Sequence, residues 1–494
     1  MKTLPQRLEV TRLAHRFVSN DRRVIARFFS PGTDSRIRTV IQRVLKLRPR
    51  RASTLLADIL TNFESRHRDV RQVFVDHFEK VRQHVPHGAQ LDDQRRLLIG
   101  AYFTMEYAIE SAALFNPSIV EAPQQDGVPQ GGKRFLMSLR ATGEGHVSSI
   151  VFRCGVIDRD NRITFEAVSH YARRLKVVED RYYEKKLFSL KLLEMGAFND
   201  TVSAVLDRVG PRYTLAELNE AIDRTREELD SPEDFEKNAE NMVWLARSNY
   251  LLEVPPDTDP SEIVIFPSTD DESRGIEDVR LVRFKDDNGS VQYYGTYTAF
   301  NGFSTLPQLI ETKEFLKIKV HTLNGRYVQN KGLALFPRQV GGWYMMISRL
   351  DGENLYLMKS DNIRFWNEAT RIQAPRFPWE FIQIGNCGSP LETDAGWLLL
   401  THGVGPMRQY CIGASLLDRD DPEKVIGQLD QPLLVPVESE RDGYVPNVVY
   451  TCGAMIHDDT LVIPYAVSDS ATRFATVGLR DLLAHLTSHT AGRR

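Results

Sequence analysis

Cysteine is scarce in this chain of 494 residues: there are four, Cys154, Cys387, Cys411 and Cys452, scattered and with no CxxC pair. That scatter excludes a disulfide framework and a cysteine zinc site, and it fits reduced thiols in the cytoplasm. Charge of one sign is also missing. With 63 Lys and Arg against 66 Asp and Glu, the formal net charge is −3, which gives no overall pull toward nucleic acid or an anionic membrane. No apolar span of 18 residues occurs and no apolar signal-peptide core opens the chain, so neither a membrane partner nor export is expected. GxxxxGKS/T, a GxGxxG after a strand, HExxH and GxSxG are all absent. Nucleotide, dinucleotide, zincin and serine-hydrolase readings lose their motifs, and no cofactor or metal is expected. What remains is a cytoplasmic protein of ordinary composition, too long for one ordinary core.

Two stretches read as helical. Within 1–110, "DSRIRTVIQRVLKL" and "ASTLLADILTNFESRHRDVRQVFVDHFEKVRQHV" place apolar residues at spacings of three and four, the period of an amphipathic helix. Residues 1–53 carry twelve Arg and two Lys against Glu9, Asp21 and Asp34. No aromatic platform or recognition motif accompanies that charge, so no nucleic-acid partner is expected. The arm reads instead as a solvated face, or as one that contacts other subunits in a homo-oligomer. A second helical stretch covers about 165–250, where "TLAE", Thr214 to Glu217, is a capping-box pattern. It reads as an insertion into a β domain that spans 111–480, and 481–494 reads as a closing helix and tail.

The β portion repeats itself. "KRFLMSLRATGEG", "VQYYGTYTAFNG", "GGWYMMISRLDG", "AGWLLLTHGVG" and "DTLVIPYAVSDS" each run from a turn into an aromatic or aliphatic strand with a polar end. Gly289, Gly342 and Gly396 stand 53 and 54 residues apart. A strand-bearing period near 50 is that of a β-propeller, and five copies argue for five blades. The expected fold is therefore an all-β five-bladed propeller with an N-terminal helical region and a helical insertion in its first blade region.

A second recurrence precedes each copy. Asn116, Asn330, Asn386 and Asn447 each open the preceding strand, whereas the second repeat has "GIEDVR" there, with Glu277, Asp278 and Arg280. In an antiparallel hairpin the start of one strand and the end of the next share a rim. Glu277 and Asp278 should therefore meet Arg140, Thr298, Arg349, His402 and Asp469, which end the second strands. Because neighbouring strand residues point to opposite faces, one carboxylate should face the funnel and the other should orient Arg280 or a ring hydroxyl. A single acid among polar groups suits inverting glycosyl transfer, where it protonates the leaving oxygen. Attack by water then needs a second carboxylate, for which Glu392 is the candidate. Attack by phosphate needs cations, which Arg140, Arg349, His402 and Arg408 would supply. Asp469 either accepts sugar hydroxyls or closes an Asx-turn, and Tyr410 and Tyr444 are the aromatics placed to stack on a sugar.

"GIEDVRLVRF…YYGTYTAFNG", "GSPLETDAGWLLLTHGV", "YCIGASLLD" and "PNVVYTCGA…PYAVSDS" together resemble glycoside hydrolase family 130, the β-mannoside phosphorylases and related β-mannosidases. The resemblance runs over roughly 111–480 and implies a five-bladed propeller and inverting cleavage of β-mannosides. In the phosphorylases, inorganic phosphate is the co-substrate and α-mannose 1-phosphate the product. The family's acid, in E-D-P-R, falls on Asp278, with Val279 in place of proline, and it is thought to reach the glycosidic oxygen through a sugar hydroxyl. The resemblance makes Arg140 and Arg349 phosphate ligands and aligns His402 with the histidine of the family's "HG". It makes Asp469 the residue that holds the mannose; the recurrence at the rim adds Asn116, Glu277, Arg280, Asn386 and Asn447 as substrate-binding candidates. Where many phosphorylases carry a lysine, this chain has Glu392, as hydrolytic members do. Three readings follow: a phosphorylase of β-manno-oligosaccharides, a β-mannosidase with Asp278 as acid and Glu392 as base, and a glycan-binding propeller without catalysis.

Overall fold

The computed structural model describes residues 8–178, 182–228 and 232–488; residues 1–7 of the basic arm and 489–494 of the tail lie outside them. Four helices follow the amphipathic stretch: α1 (Asp34–Leu45), α2 (Pro49–Phe63), α3 (Val70–Val81) and α4 (Asp93–Tyr102). Thr33, Asp69 and Asp92 cap three of them by accepting from the backbone N–H groups of Arg36, Gln72 and Arg95, and Pro49 opens the fourth, where its missing N–H costs nothing. Their apolar faces close on one cluster around Ile41, Leu60, Phe74, Phe78 and Ile99.

The first 110 residues are not all helical. Val10–Phe17, Asn20–Phe28 and Thr104–Glu110 are strands. Val10–Phe17 pairs antiparallel with Ala471–Gly478 and so joins the last sheet of the chain. Basic residues had hidden this strand, because Arg12 and Arg16 interrupt an alternation that otherwise favours β structure. Some of that basic charge is spent internally. Arg12 donates to the Val435 carbonyl at 2.8 Å, and buried Arg23 lies 3.0 Å from buried Glu110.

The body is mostly sheet. Its strands form five antiparallel groups, each opened by one of the recurring segments. The first holds Ala113–Glu121, Lys133–Thr142 and Ser148–Ile157, and the second Gly275–Lys285, Val291–Phe300, Thr305–Thr312 and Lys317–Thr322. A parallel bridge from Gly275 to Ser148 joins these two into one sheet. The third is Ala334–Leu335, Tyr344–Ser348, Leu355–Ser360 and Glu368–Gln373. The fourth is Gln383–Asn386, Gly396–Val404, Tyr410–Leu417 and Val425–Gln428; the fifth is Val449–Tyr450, Thr460–Val467, Ala471–Gly478 and the N-terminal strand.

Side chains alternate along these strands and fill separate apolar layers. Leu136 and Phe152 of the first group pack with Ile276 and Tyr297 of the second. Val282 and Phe284 then meet Leu335 and Met346 of the third, whose Ile347 and Leu357 meet Trp397 and Leu399 of the fourth. Leu400 and Ile412 meet Ile463 and Tyr465 of the fifth, and the fifth returns through Val462 and Phe474 to Met137 and Leu139 of the first.

The helical insertion comprises α5 (Lys185–Glu194), α6 (Asp200–Leu206), α7 (Leu215–Glu228) and α8 (Pro232–Arg247), with its own apolar cluster. Thr214 and Glu217 form the capping box that the sequence indicates: the Thr214 N–H donates to Glu217 at 2.7 Å and the Glu217 N–H to Thr214 Oγ1 at 3.3 Å. The chain leaves α8 into Tyr250–Glu253, which pairs with Lys317–Thr322 and so extends the second group. A final helix, α9, covers Leu479–Ser488. Among the described residues no helix is long and apolar enough to cross a membrane.

Candidate active site

The hairpin registers bring the recurring residues to one rim. Phe115 opposes Arg140, Glu277 opposes Thr298, and Gly385 opposes His402. Two of the opening strands bulge there. The pairing skips from Glu277 to Arg280 against Thr298 and Thr296, and from Phe115 to Ser118 against Arg140 and Ser138. The bulged residues Asp278 and Asn116 sit at φ 55° and 48°, and Asn330 and Asn447 both take 62° at the corresponding positions. This left-handed region is one that Asn and Asp tolerate best among residues with a side chain, which explains why the recurrence is written in Asn and Asp.

A bulge also breaks strand alternation. Both carboxylates therefore belong to the same charged cluster, a correction to the expectation that they diverge. Asp278 Oδ1 accepts from Asn116 Nδ2 at 2.7 Å and lies 3.5 Å from Arg140 Nη1. Glu277 accepts from Arg140 Nη2 at 2.9 Å and from Lys331 Nζ. Arg280 is oriented by neither side chain. Its guanidinium donates to the Cys387 carbonyl at 2.9 Å, the Asp278 carbonyl at 3.0 Å and the Tyr450 hydroxyl at 2.6 Å.

Arg349 donates to His402 Nε2 at 3.1 Å, and His402 Nδ1 donates to the Asn386 carbonyl at 3.2 Å. The tautomer is assigned from this pattern: a neutral ring that donates at Nδ1 and accepts at Nε2. Burial, with Arg349 and Arg280 adding to it, holds the His402 pKa well below its usual value. His402 is fully buried. It therefore stands against Arg349 as a neutral ring and not as the cation that the sequence suggests. Asn386 is also fully buried, and both polar atoms of its side chain lack partners, as do Arg349 Nε, Arg140 Nε and Asn116 Oδ1. A Cβ at Gly332 would lie 3.6 Å from Asn386 Oδ1 and 3.7 Å from Arg349 Nε, so these two side chains approach the same backbone.

Asp469 follows Ser468 in a turn where both have positive φ. Burial and the charge of Asp278 push its pKa up to about 6, against the pull of Arg140 and Arg408. Asp278 goes the other way. Its burial is outweighed by Arg140, Arg280, the Asn116 amide and Lys331, which hold it below the usual carboxylate range. Arg408 is exposed, with its guanidinium 5.9 Å from the Tyr410 ring. Tyr410 itself stacks on His402 at 5.8 Å, while Tyr444 is exposed and stacks on His146. Asn447 is half-buried, its backbone carbonyl accepting from the Tyr410 N–H at 3.0 Å.

Glu392 is not in this cluster. It pairs with Trp397, five residues along the same strand from His402, a separation of about 17 Å at the rise of a β-strand. There it lines a cavity of 360 Å³ with Leu281, Arg283 and Lys285, toward the far end of the strand Gly275–Lys285 that carries Asp278. Arg338 grips it with two hydrogen bonds of 3.0 and 2.6 Å and Arg419 approaches to 3.4 Å, which lowers its pKa. Glu392, expected as a base opposite Asp278, is therefore engaged by Arg338 about a strand's length from His402. Sequence reasoning also missed two members of the site. Lys331 follows Asn330 in the recurrence and could have been found from that position; Tyr450, which follows Asn447 by three residues, carried no separate signal. Among the described residues no group of three or more His, Cys, Asp or Glu side chains could hold a metal ion.

Comparison with known proteins bears on this geometry. The family model described as beta-1,4-mannooligosaccharide phosphorylase, Glyco_hydro_130, matches residues 256–488, a stretch that contains Glu277, Asp278, Arg280, Arg349, His402 and Asp469. The 1,2-beta-oligomannan phosphorylase of Thermoanaerobacter sp. (strain X514) is 32% identical over 231 residues, which are 44% of this chain and 73% of that protein. The beta-1,2-mannobiose phosphorylase of Listeria innocua serovar 6a is 28% identical over 230 residues, 45% of this chain and 63% of that one. Among solved structures, the chain is similar to the beta-1,2-mannobiose phosphorylase from Listeria innocua in complex with beta-1,2-mannobiose, with a TM-score of 0.45 and 19% identity over 77% of this chain and 93% of that one. With 32% identity across 73% of the Thermoanaerobacter phosphorylase and the match to the Glyco_hydro_130 model, the chain belongs to glycoside hydrolase family 130.

Proposed function

We propose that this enzyme cleaves β-mannosides by inverting phosphorolysis, taking a β-manno-oligosaccharide and inorganic phosphate to α-mannose 1-phosphate and a shortened sugar. The observation that carries the reading is the charge balance of the rim. Arg140, Arg280, Lys331 and Arg408 gather around Glu277, Asp278 and Asp469, and Arg349 acts with Asp278 on Tyr450, so cations outnumber carboxylates where a phosphate dianion would attack. The names of the relatives agree with it.

In this mechanism the Asp278 carboxyl gives its proton toward the leaving glycosidic oxygen. A phosphate oxygen bonds to C1 from the opposite face of the sugar as the C1–O bond breaks. Arg140, Lys331 and Arg349 hold the phosphate, with Arg349 aimed by His402. Asp469, Asn116, Asn386 and Asn447 take the sugar hydroxyls. Asp278 must be protonated to act, although the surrounding cations favour its ionised form in the free enzyme. A bound phosphate dianion offsets those cations, and the acid is armed only when the nucleophile is present. The hydrolytic reading loses its base with the placement of Glu392. A glycan-binding role without catalysis leaves the excess of cations without a use.

The same reading takes the five strand groups as five blades in a ring, since five apolar layers join them in cyclic order. Residues 111–480 then form the propeller, with the insertion at about 165–250 and flanking regions 1–110 and 481–494. The N-terminal strand is counted with the fifth blade. The enzyme would work in the cytoplasm, and the exposed basic helices would serve contacts between subunits. Incubation of β-mannobioses with and without phosphate tests the reaction: mannose 1-phosphate should form, and only with phosphate. Free mannose released without phosphate would refute it. Asp278→Asn should lower turnover by about three orders of magnitude or more while sparing binding.

A further inference from the structure

Six residues before Asn116, Asp278, Asn330 and Asn386, and seven before Asn447, stands a buried polar residue: Glu110, Glu272, Asn324, Glu380 and Glu440. Their exposures are 1%, 0%, 3%, 0% and 0%. Four buried carboxylates and a buried amide are expensive unless their bonds matter, and each of these is engaged. Glu272 Oε2 accepts from the backbone N–H groups of Ser268 and Thr269 at 2.8 and 3.2 Å, and Oε1 accepts from the Tyr250 and Tyr297 hydroxyls, both at 2.7 Å. Glu380 accepts from the N–H groups of Arg376 and Phe377 and from Gln428. Glu440 accepts from the Val437 N–H and the Tyr465 hydroxyl. Both Glu110 oxygens accept from Arg153 Nη2, at 3.0 and 2.9 Å, and Asn324 donates to the Arg364 carbonyl at 2.9 Å.

Four of the five residues that follow these anchors hold positive φ. Such a conformation persists in a residue with a side chain only where its surroundings fix it. We propose that these five buried residues aim the rim residues, and that Glu272 is the positioning residue for Asp278. The inference rests on the reading of Asp278 as the acid.

Glu272 has a further link. Tyr250 lies on the strand that leaves the helical insertion, and Ser248, two residues earlier, donates to Asp271 at 2.9 Å. The insertion therefore grips the turn that leads into Gly275 and Asp278. Glu380 has no such tie to the acid; it precedes Asn386, which adjoins Arg349.

Tyr250→Phe and Tyr297→Phe each remove one hydroxyl from Glu272 while keeping the ring, and Glu272→Gln replaces the carboxylate. With β-mannobiose and phosphate, well below the unfolding temperature, the Tyr variants should lower kcat 5- to 20-fold. KM for phosphate should stay within twofold, and the acid limb of the kcat–pH profile should move. Gln428→Ala, which loosens Glu380, should mainly raise KM. Unchanged kcat with only a lower Tm, or the same kcat loss from Gln428→Ala, overturns the proposal. If the unaltered enzyme shows no turnover, the proposed function fails, and crystal structures of Tyr250→Phe and Glu272→Gln still decide the inference. Displacement of 275–278 with loss of the Asn116–Asp278 bond supports it, and an unmoved segment refutes it.

Discussion

Asp278 and Asp469 occupy one cluster, feel each other's charge and titrate in opposite directions. Asp278, held low by cations, adds stability above its unfolded pKa that is lost as pH falls. Asp469, raised from 3.8 to about 6, does the reverse: its contribution is present in acid and is lost as pH rises toward 6 and beyond. The shift corresponds to about 3 kcal/mol at most, and partial exposure reduces this to about 1–2 kcal/mol. Asp469→Asn should therefore raise Tm at pH 7.5 and change it little at pH 4, as read by thermal melts, while weakening mannoside binding. Such a trade of stability for function is common at sites that use charge. Glu392 makes the opposite case. It is one-third exposed and ion-paired on the far side of the fourth group, so Glu392→Gln should leave kcat/KM within about twofold and cost about 0–1 kcal/mol of stability. Phosphate should bring a proton with it: calorimetry in buffers of different ionisation enthalpy should give uptake of up to about one proton per phosphate near pH 7, taken from the buffer by the Asp278 carboxylate. No uptake would mean that the acid is armed in another way.

The element that matters most is the bulged strand from Gly275 to Lys285. Gly275 has φ 130°, and a Cβ there would lie 2.4 Å from Ser148 Oγ and 2.8 Å from the Ser148 nitrogen. That close approach is where the second group meets the first, three residues before Asp278. Gly275→Ala should cost about 2–4 kcal/mol and lower activity beyond what the loss of folded protein explains, as measured by chemical unfolding beside kinetics at low temperature. The sequence displayed the charges of this strand but not its bulge. Alternation alone sent Glu277 and Asp278 to opposite faces, and the extra residue opposite Tyr297 was visible only in the register.

At the scale of the molecule, the N-terminal strand completes the last sheet. Val10–Phe17 covers the outer edge of Ala471–Gly478, far away in sequence. Deleting residues up to Phe17 should expose that edge, lower Tm by roughly 5–10 °C and promote association, as checked by thermal melts and size-exclusion chromatography. This pairing also shows why the N-terminal region was misread. Its strand is recognised by a partner at the other end of the chain, and no local pattern encodes that partner.

By itself the sequence determined the recurring five-part organisation, the hairpins and the residues they bring to one rim. These follow from turn chemistry and from the antiparallel pairing of neighbouring strands, both of which are local. It also determined Asp278, Arg140, Arg349 and Asp469 as members of one cluster, because each ends or opens a hairpin at that rim. Only the tertiary structure decided where Glu392 lies, since a residue at the other end of a hairpin can look close in a motif while standing a strand's length away. Tertiary packing likewise turned His402 into a support, brought Lys331 beside Glu277 and set the two aspartates apart in pKa. Those outcomes depend on burial and on charges from distant segments, and neither is written in any local run of residues.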